Sequence, residues 1–239
     1  EFRRVLFRSR HTLGSTRIAS VVVQDGGKFG DIVANNAFKR DEQGNILIDE
    51  NGLPIKETDK VIGNMMPDWT GSVGTSLRWK DLSFSALVDI RYGGNFISMT
   101  DNYATLSGNS VRSLAGRDGM VVKGIVESTG QPNTKEVTAE EYWTSVAGSN
   151  GVAEAFMYDA TYIKLRELSL GWNLPKVWLK YTPLKSVKIS VVARDLFYLY
   201  KDAPVSAEAA LSRADYAQAF EYASMPPTRS FGFSLNVKF

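Results

Sequence analysis

The sequence predicts an all-β fold: an antiparallel up-and-down transmembrane β-barrel, of which the chain carries the C-terminal part, about six strands with long extracellular loops. Three observations carry that expectation. Apolar and polar residues alternate with period two through several long segments, as they do in strands whose two faces meet different surroundings. The connections between these segments come in two sizes, and the sizes alternate. Aromatic residues gather near both ends of the segments, as in the girdles of membrane barrels.

Composition narrows the field. The chain has 239 residues, 44% of them hydrophobic and 23% charged, enough to bury a core. It contains no cysteine, which excludes disulfide staples, thiolate metal sites and a cysteine nucleophile. Its single histidine, His11, excludes the common multi-histidine metal sites. No apolar run is long enough for a membrane-spanning helix, a criterion that does not touch β-barrels. Residues 1–9 include Arg3-Arg4-Val5-Leu6-Phe7-Arg8-Ser9, which resembles a translated sequencing adapter, and are read as a library scar preceding the barrel segment 10–239. That stretch carries the whole formal charge of +2. The remainder is neutral, so nucleic-acid binding has no support in the composition.

The elements follow in order. A short strand is expected around Arg17–Val23. In Trp69–Trp79 the residues Trp69, Gly71, Val73, Thr75, Leu77 and Trp79 share one face. After a reversal at Lys80-Asp81 the face continues with Leu82, Phe84, Ala86, Val88, Ile90 and Tyr92. Each arm has 11 residues, the length that crosses a bilayer at a tilt. Tyr158–Leu174 changes phase midway, and one extra residue near Arg166-Glu167, a β-bulge, restores a single apolar face. Val187–Arg194 and Phe231–Phe239 alternate without interruption. The short connections are Lys80-Asp81 and Pro175–Lys185; the long ones are 24–68, 93–157 and 201–226. This sorting predicts short periplasmic turns and long extracellular loops. Val73, Leu77, Phe84, Val88, Phe233 and Leu235 are expected to face lipid, and Ser76, Arg78, Asp89, Arg91, Ser234 and Asn236 the lumen.

Motifs for chemistry are missing. Asp41–Asn45 and Asp49–Gly52 lack the spacing and the later Glu of a calcium loop, and a hairpin turning at Glu50-Asn51-Gly52 is expected instead. Nucleophile-elbow, P-loop and dinucleotide motifs are absent, so neither an enzyme nor a cofactor is expected. Thr138-x-x-Glu141 is a capping box opening a short helix through Tyr142 and Trp143, which gives Glu140-Glu141 a structural role. Ala203–Tyr222, rich in Ala and Glu, is expected to hold a helix capped by Ser206. The alternating Phe231, Phe233, Leu235, Val237 and Phe239 match the terminal signal that outer-membrane barrels present to the barrel assembly machinery. Tyr103, Tyr142, Trp143, Tyr216 and Tyr222 lie in the long loops and are candidate contacts to cargo or a partner.

Five motifs in series carry a family resemblance over about residues 20–239. They are Gly63-Asn64 with Pro67-Asp68-Trp69, Leu82-Ser83-Phe84 with Asp89–Gly94, Gly116-Arg117-Asp118-Gly119, the run Tyr158-Asp159-Ala160-Thr161-Tyr162 through Gly171-Trp172-Asn173-Leu174-Pro175, and Arg194-Asp195-Leu196-Phe197. The ending Pro226-Pro227-Thr228-Arg229-Ser230-Phe231 through Phe239 fits the same pattern. Together they resemble SusC/RagA-type TonB-linked outer-membrane transporters. Arg194-Asp195-Leu196 departs slightly from that family, which usually has Asn before the Leu. The resemblance implies a plugged barrel of about 22 strands in the outer membrane of a Gram-negative bacterium. It implies import of oligosaccharides or peptides, a SusD-like lipoprotein as lid, and energy from the TonB complex through upstream segments. Two alternatives remain at this point: a siderophore-type TonB-dependent receptor, and a soluble β-rich carbohydrate-binding module.

Overall fold

The computed structural model describes residues 10–212 and 214–239, and the chain divides into two compact units. The adapter-like stretch 1–9 lies outside the described residues. One unit comprises Pro67–Gly93, Ala160–Ala203 and Pro226–Phe239 and is a five-stranded sheet. Its strands are β1 (Trp69–Trp79), β2 (Leu82–Tyr92), β3 (Tyr162–Asn173), β4 (Ser186–Lys201) and β5 (Ser230–Lys238). They lie in sequence order across the sheet and every neighbouring pair is antiparallel. This is an open up-and-down meander with β1 and β5 at its edges among the described residues.

The register follows the pattern in the sequence. Trp69 pairs with Tyr92 and the ladder runs without slip to Trp79 and Leu82, so the apolar sets of β1 and β2 share a face. Lys80 makes the turn in the left-handed region, φ 54°. In β3 the register shifts between Leu165 and Glu167, which face Val88 and Leu87 of β2. Arg166 is the inserted residue, as the phase change requires, and the bulge aligns Ile163 and Leu165 with Leu168, Leu170 and Trp172. On the other side Leu165 pairs with Phe197 and Glu167 with Arg194. Asp195 fits between them with φ 53°.

Two strand expectations need correction. Ala19–Val23 is a strand, but it pairs with His11–Ser15 and Asp31–Ala34 rather than with β1, so among the described residues the sheet has five strands rather than about six. The segment expected to run from Tyr158 is divided: Met157–Asp159 pairs with Asn95–Ser98 in another sheet, and β3 starts at Tyr162.

The other unit consists of the chain through Met66, Gly94–Asp159 and Pro204–Met225. These are the long connections, and they build a core instead of standing apart as loops. Ile18, Val21, Ile32, Ile97, Phe156 and Phe220 are each fully buried in it. Helix α1 (Met99–Leu106) is capped by the Ser98 side chain, and α2 (Ala139–Val146) opens with the complete Thr138/Glu141 capping box. At the two acidic turns, Asp41 Oδ1 accepts the amides of Gln43 and Asn45, and Asp49 Oδ1 those of Asn51 and Leu53. These carboxylates serve their own turns. Among the described residues of Ala203–Tyr222 the expected α-helix is absent. A 3₁₀ turn, Asp215–Ala219, leads into the two-residue strand Phe220–Glu221, which pairs in parallel with Ile97-Ser98. Ala217, Ala219 and Phe220 are buried, and no helical apolar stripe accompanies them, so tertiary burial decides the conformation.

Candidate functional site

The five-stranded sheet has two faces of opposite chemistry. On one, Val73, Leu77, Phe233 and Leu235 are 63%, 61%, 70% and 59% exposed. Taking such side chains out of water is worth about 1.5–3 kcal/mol each. A continuous exposed face of them marks a surface made for an apolar medium or partner. The cross-strand pairs Phe231–Ala193, Phe233–Val191, Leu235–Ile189 and Val237–Val187 extend this face onto edge strand β5. Of the terminal series, Phe231, Phe233, Leu235 and Phe239 are exposed and Val237 is partly covered.

The other face is polar and carries an ion network around the bulge. The Arg166 guanidinium donates from Nη2 to Asp89 at 2.6 Å and from Nη1 to Asp195 at 2.8 Å. Lys164 Nζ meets the same Asp195 at 2.9 Å, and Tyr198 presents its ring 5.1 Å from that ammonium. Lys164 is only 2% exposed, so the network neutralises a buried cation. Period-two reading marks Lys164 as polar-facing but gives no sign of its burial. Both ends of the sheet are aromatic. Trp69 stacks on Tyr92 at 6.0 Å and Tyr162 meets Tyr198 edge-on at 5.8 Å, while at the turn end Trp172 and Trp178 meet edge-on at 5.6 Å.

In the second unit the five loop aromatics divide. Tyr142 and Trp143 contact each other edge-on at 4.8 Å and pack against the core. Tyr216 covers Gly14, where a Cβ would lie 2.3 Å from its ring. Tyr103 also packs on the core, and its ring centroid is 5.7 Å from that of exposed Tyr222. With Thr16, Arg17, Met99 and Ser149 this pair lines an open cleft of about 570 Å³. A second cleft, about 580 Å³, lies between Arg117, Glu140 and Trp143. Tyr222 is therefore the one member of the five that is solvent-exposed, and the others contribute mainly to packing.

Beneath them is a node that sequence reasoning missed. Arg112 lies between Trp143 and Phe156, 5.3 and 5.1 Å from the ring centres, and bonds Asp101 Oδ2 at 2.8 Å and the Ala155 carbonyl at 3.0 Å. The Tyr158 hydroxyl donates to Asp101 at 2.5 Å. Burial pushes the Asp101 carboxyl up, but bonds from Tyr158, Arg112 and Ser110 outweigh it and hold the group below the usual carboxylate range. The Tyr158 phenol is raised, first by burial and then by its bond to Asp101. Glu221, 2% exposed, accepts from Ser98 Oγ at 2.7 Å and Thr100 Oγ1 at 2.6 Å. Both nodes tie distant segments together. Among the described residues no three His, Asp or Glu side chains are placed to hold a metal ion.

Against known proteins, no family model matches the chain. A curated relative, TonB-dependent receptor P3 of Formosa agariphila, is 28% identical over 225 residues, 91% of this chain and 21% of that protein. The chain thus spans about a fifth of the length of that relative. Among solved structures, the RagAB peptide importer in its closed-closed state superposes with a TM-score of 0.54 at 13% identity, covering 96% of this chain and 28% of the other. Its open-open state gives 0.54 at 12% identity, covering 97% and 24%. These relatives are a receptor and a transporter, not enzymes. The chain is similar over nearly its whole length to a stretch of a TonB-dependent receptor in sequence and to a stretch of the RagAB transporter in fold, the likeness to SusC/RagA-type transporters that its motifs carry.

Proposed function

We propose that the chain is a wall-and-loop segment of a TonB-dependent transporter in the outer membrane of a Gram-negative bacterium. The carrying observation is the meander with an exposed apolar face on one side and an ion-paired polar face on the other. An 11-residue strand at about 3.3 Å per residue is roughly 36 Å long, enough to cross the hydrocarbon layer when tilted. In this reading the apolar face meets lipid, the polar face the lumen, and edges β1 and β5 pair with further strands of a closed barrel, since open edges invite aggregation. The transporter imports oligosaccharides or peptides, the latter being the cargo of the RagAB neighbour, with a SusD-like lipoprotein as lid and the TonB complex as energy source. This chain does no chemistry: it closes the wall and supplies extracellular surface, with Tyr222 and its cleft touching cargo or lid. The alternating Phe231, Phe233, Leu235, Val237 and Phe239 of β5 serve as the signal read by the barrel assembly machinery.

Labelling tests the topology. In the full-length protein on intact cells, a cysteine at Ser107 is expected to react with an impermeant maleimide and one at Asp81 to stay silent; the reverse pattern refutes the arrangement. Tyr222→Ala is expected to weaken uptake or lid retention at normal membrane levels. Removing Phe239 is expected to lower the amount of heat-modifiable barrel in the membrane, and unchanged levels would remove its assembly role.

A further inference from the structure

The turn end of the sheet is unlike the rest of the chain in its charge. Residues 79–82, 173–188 and 236–239 hold Lys80, Lys176, Lys180, Lys185, Lys188 and Lys238 against one acidic side chain, Asp81. Among the described residues none of these six lysines joins an ion pair. At the opposite end of the same sheet, Asp68, Asp89, Asp195 and Asp202 are interleaved with Arg91, Lys164, Arg166 and Lys201, and Asp89 and Asp195 are bonded to cations. One end is internally neutralised; the other presents unpaired positive charge.

Exposed apolar groups sit among those lysines. The single turn of helix Lys176–Leu179 buries Leu179 but leaves Val177 78% and Trp178 63% exposed. Trp178 meets Trp172 of β3, so the apolar surface of the sheet continues onto the connection. Tyr181 is 92% exposed with Lys180 Nζ 5.8 Å from its ring, and Trp79 is 68% exposed with Lys80 Nζ 5.2 Å away. In water this arrangement leaves large rings wet and these ammonium groups without an acidic partner. At a lipid surface both problems are relieved: the rings lie at headgroup depth and the ammonium groups reach the phosphates.

We propose that this turn end is a binding surface for anionic phospholipid headgroups, with Lys80, Lys176, Lys180 and Lys185 engaging the phosphates and Trp79 and Trp178 seated at the acyl boundary. The inference rests on the reading of the sheet as membrane-spanning, and goes beyond it by assigning a headgroup charge to one rim. A lysine near an anionic surface contributes up to roughly a fivefold preference, screened by salt.

The test uses the full-length protein in phosphatidylcholine vesicles doped with spin-labelled phosphatidylglycerol or spin-labelled phosphatidylcholine. Several-fold stronger retention of the phosphatidylglycerol probe at low salt is expected, falling toward parity at about 0.5 M salt, where the screening length is only a few Å. Combining Lys80→Gln, Lys176→Gln, Lys180→Gln and Lys185→Gln is expected to abolish the preference while heat-modifiability persists. Equal retention of the two probes by the unmodified protein, or an undiminished preference in the folded variant, overturns the proposal. Should the variant fail to assemble, the salt titration of the unmodified protein decides. Brominated acyl chains separate this inference from the reading beneath it. Quenching of Trp79 and Trp172 without headgroup preference refutes the rim alone, and no quenching refutes the spanning sheet.

Discussion

The two units of this chain use the same kinds of residue against opposite surroundings. In the unit built from the long connections, Ile18, Val21, Ile32, Phe156 and Phe220 are fully buried, and helices and short strands enclose them. In the sheet unit, Val73, Leu77, Phe231 and Phe233 stand well exposed on strands that are longer and more regular. An interior that excludes water accounts for the first pattern. Among the described residues the second has no such interior on its apolar side, the pattern expected of the membrane-facing wall proposed above. Period two reports that a strand has two faces; only the fate of the apolar face tells which solvent it was made for.

The sharpest way to break this comparison is to truncate one phenylalanine in each unit. Phe156→Ala empties a fully buried position and is expected to cost about 3–5 kcal/mol, read as loss of amide protection across the connection unit of the full-length protein. Phe233→Ala, at an exposed position, is expected to cost about 1.5–3 kcal/mol in a bilayer. A neutral effect of Phe233→Ala in lipid would mean that its face meets water.

Adjacent residues on β5 sharpen the contrast further. Leu235→Arg puts a charge on the apolar face beside the turn-end residues 236–239 and is expected to cost about 1 kcal/mol, the cost falling from its midplane value toward the interface, measured by denaturant titration of the refolded full-length barrel. Asn236→Arg, one residue on and on the opposite face, is expected to be tolerated. Equal effects would remove the distinction between lipid and lumen faces.

How much of this was legible in the sequence differs between the units for the same physical reason. The hairpin Trp69–Tyr92, the bulge at Arg166 and the last strand were readable because each depends on local parity, and a single insertion shows as a change of phase. The capping box at Thr138 was readable because its partners are three residues apart. The connection unit was not, since its pairings are short and remote. Leu47-Ile48 pairs in parallel with Ile125-Val126, and Ile97-Ser98 with Phe220-Glu221. Two-residue strands carry no period, which is why Ala203–Tyr222 suggested a helix from composition. The candidate loop aromatics fared likewise: being aromatic and in a loop did not separate exposed Tyr222 from Tyr216, which lies against Gly14. The Arg112–Asp101–Tyr158 node joins residues up to 57 positions apart and left no trace in local spacing.

That node gives a prediction of intermediate size that belongs to the connection unit alone. Arg112→Met removes the cation from Asp101 and is expected to cost about 1–3 kcal/mol. The folded Asp101 carboxyl is held below its ordinary value, so its bonds stabilise the fold above the unfolded carboxylate pKa of about 3.9. That contribution is lost as pH falls below about 4 through the lower folded value. Acid sensitivity of the connection unit in this range should therefore shrink in Asp101→Asn, measured by hydrogen exchange against pH; an unchanged acid profile would show that other carboxylates govern it.

The smallest expected effect tests whether the connection unit has local order of its own or is shaped only by its core. Thr138 accepts the Glu141 amide through Oγ1 at 3.2 Å, and its own amide donates to Glu141 Oε2 at 2.8 Å. Both partners are exposed, so burial contributes little, and the interaction reduces to satisfying amides at the start of α2 that have no helical partner. Thr138→Ala is expected to cost about 1 kcal/mol, seen as roughly fivefold faster exchange of the first-turn amides of α2. The Ala147 amide, bonded to the Trp143 carbonyl at the far end of the helix, should change less, because α2 is also held by buried Ala139 and Val146. A matching Thr75→Ala in β1 removes a hydroxyl where the ladder already pairs the backbone with Ala86, and should leave the exchange of that strand unchanged. If both threonines behave alike, the contrast between a locally capped helix and a ladder-held strand fails, and packing alone sets the stability of α2.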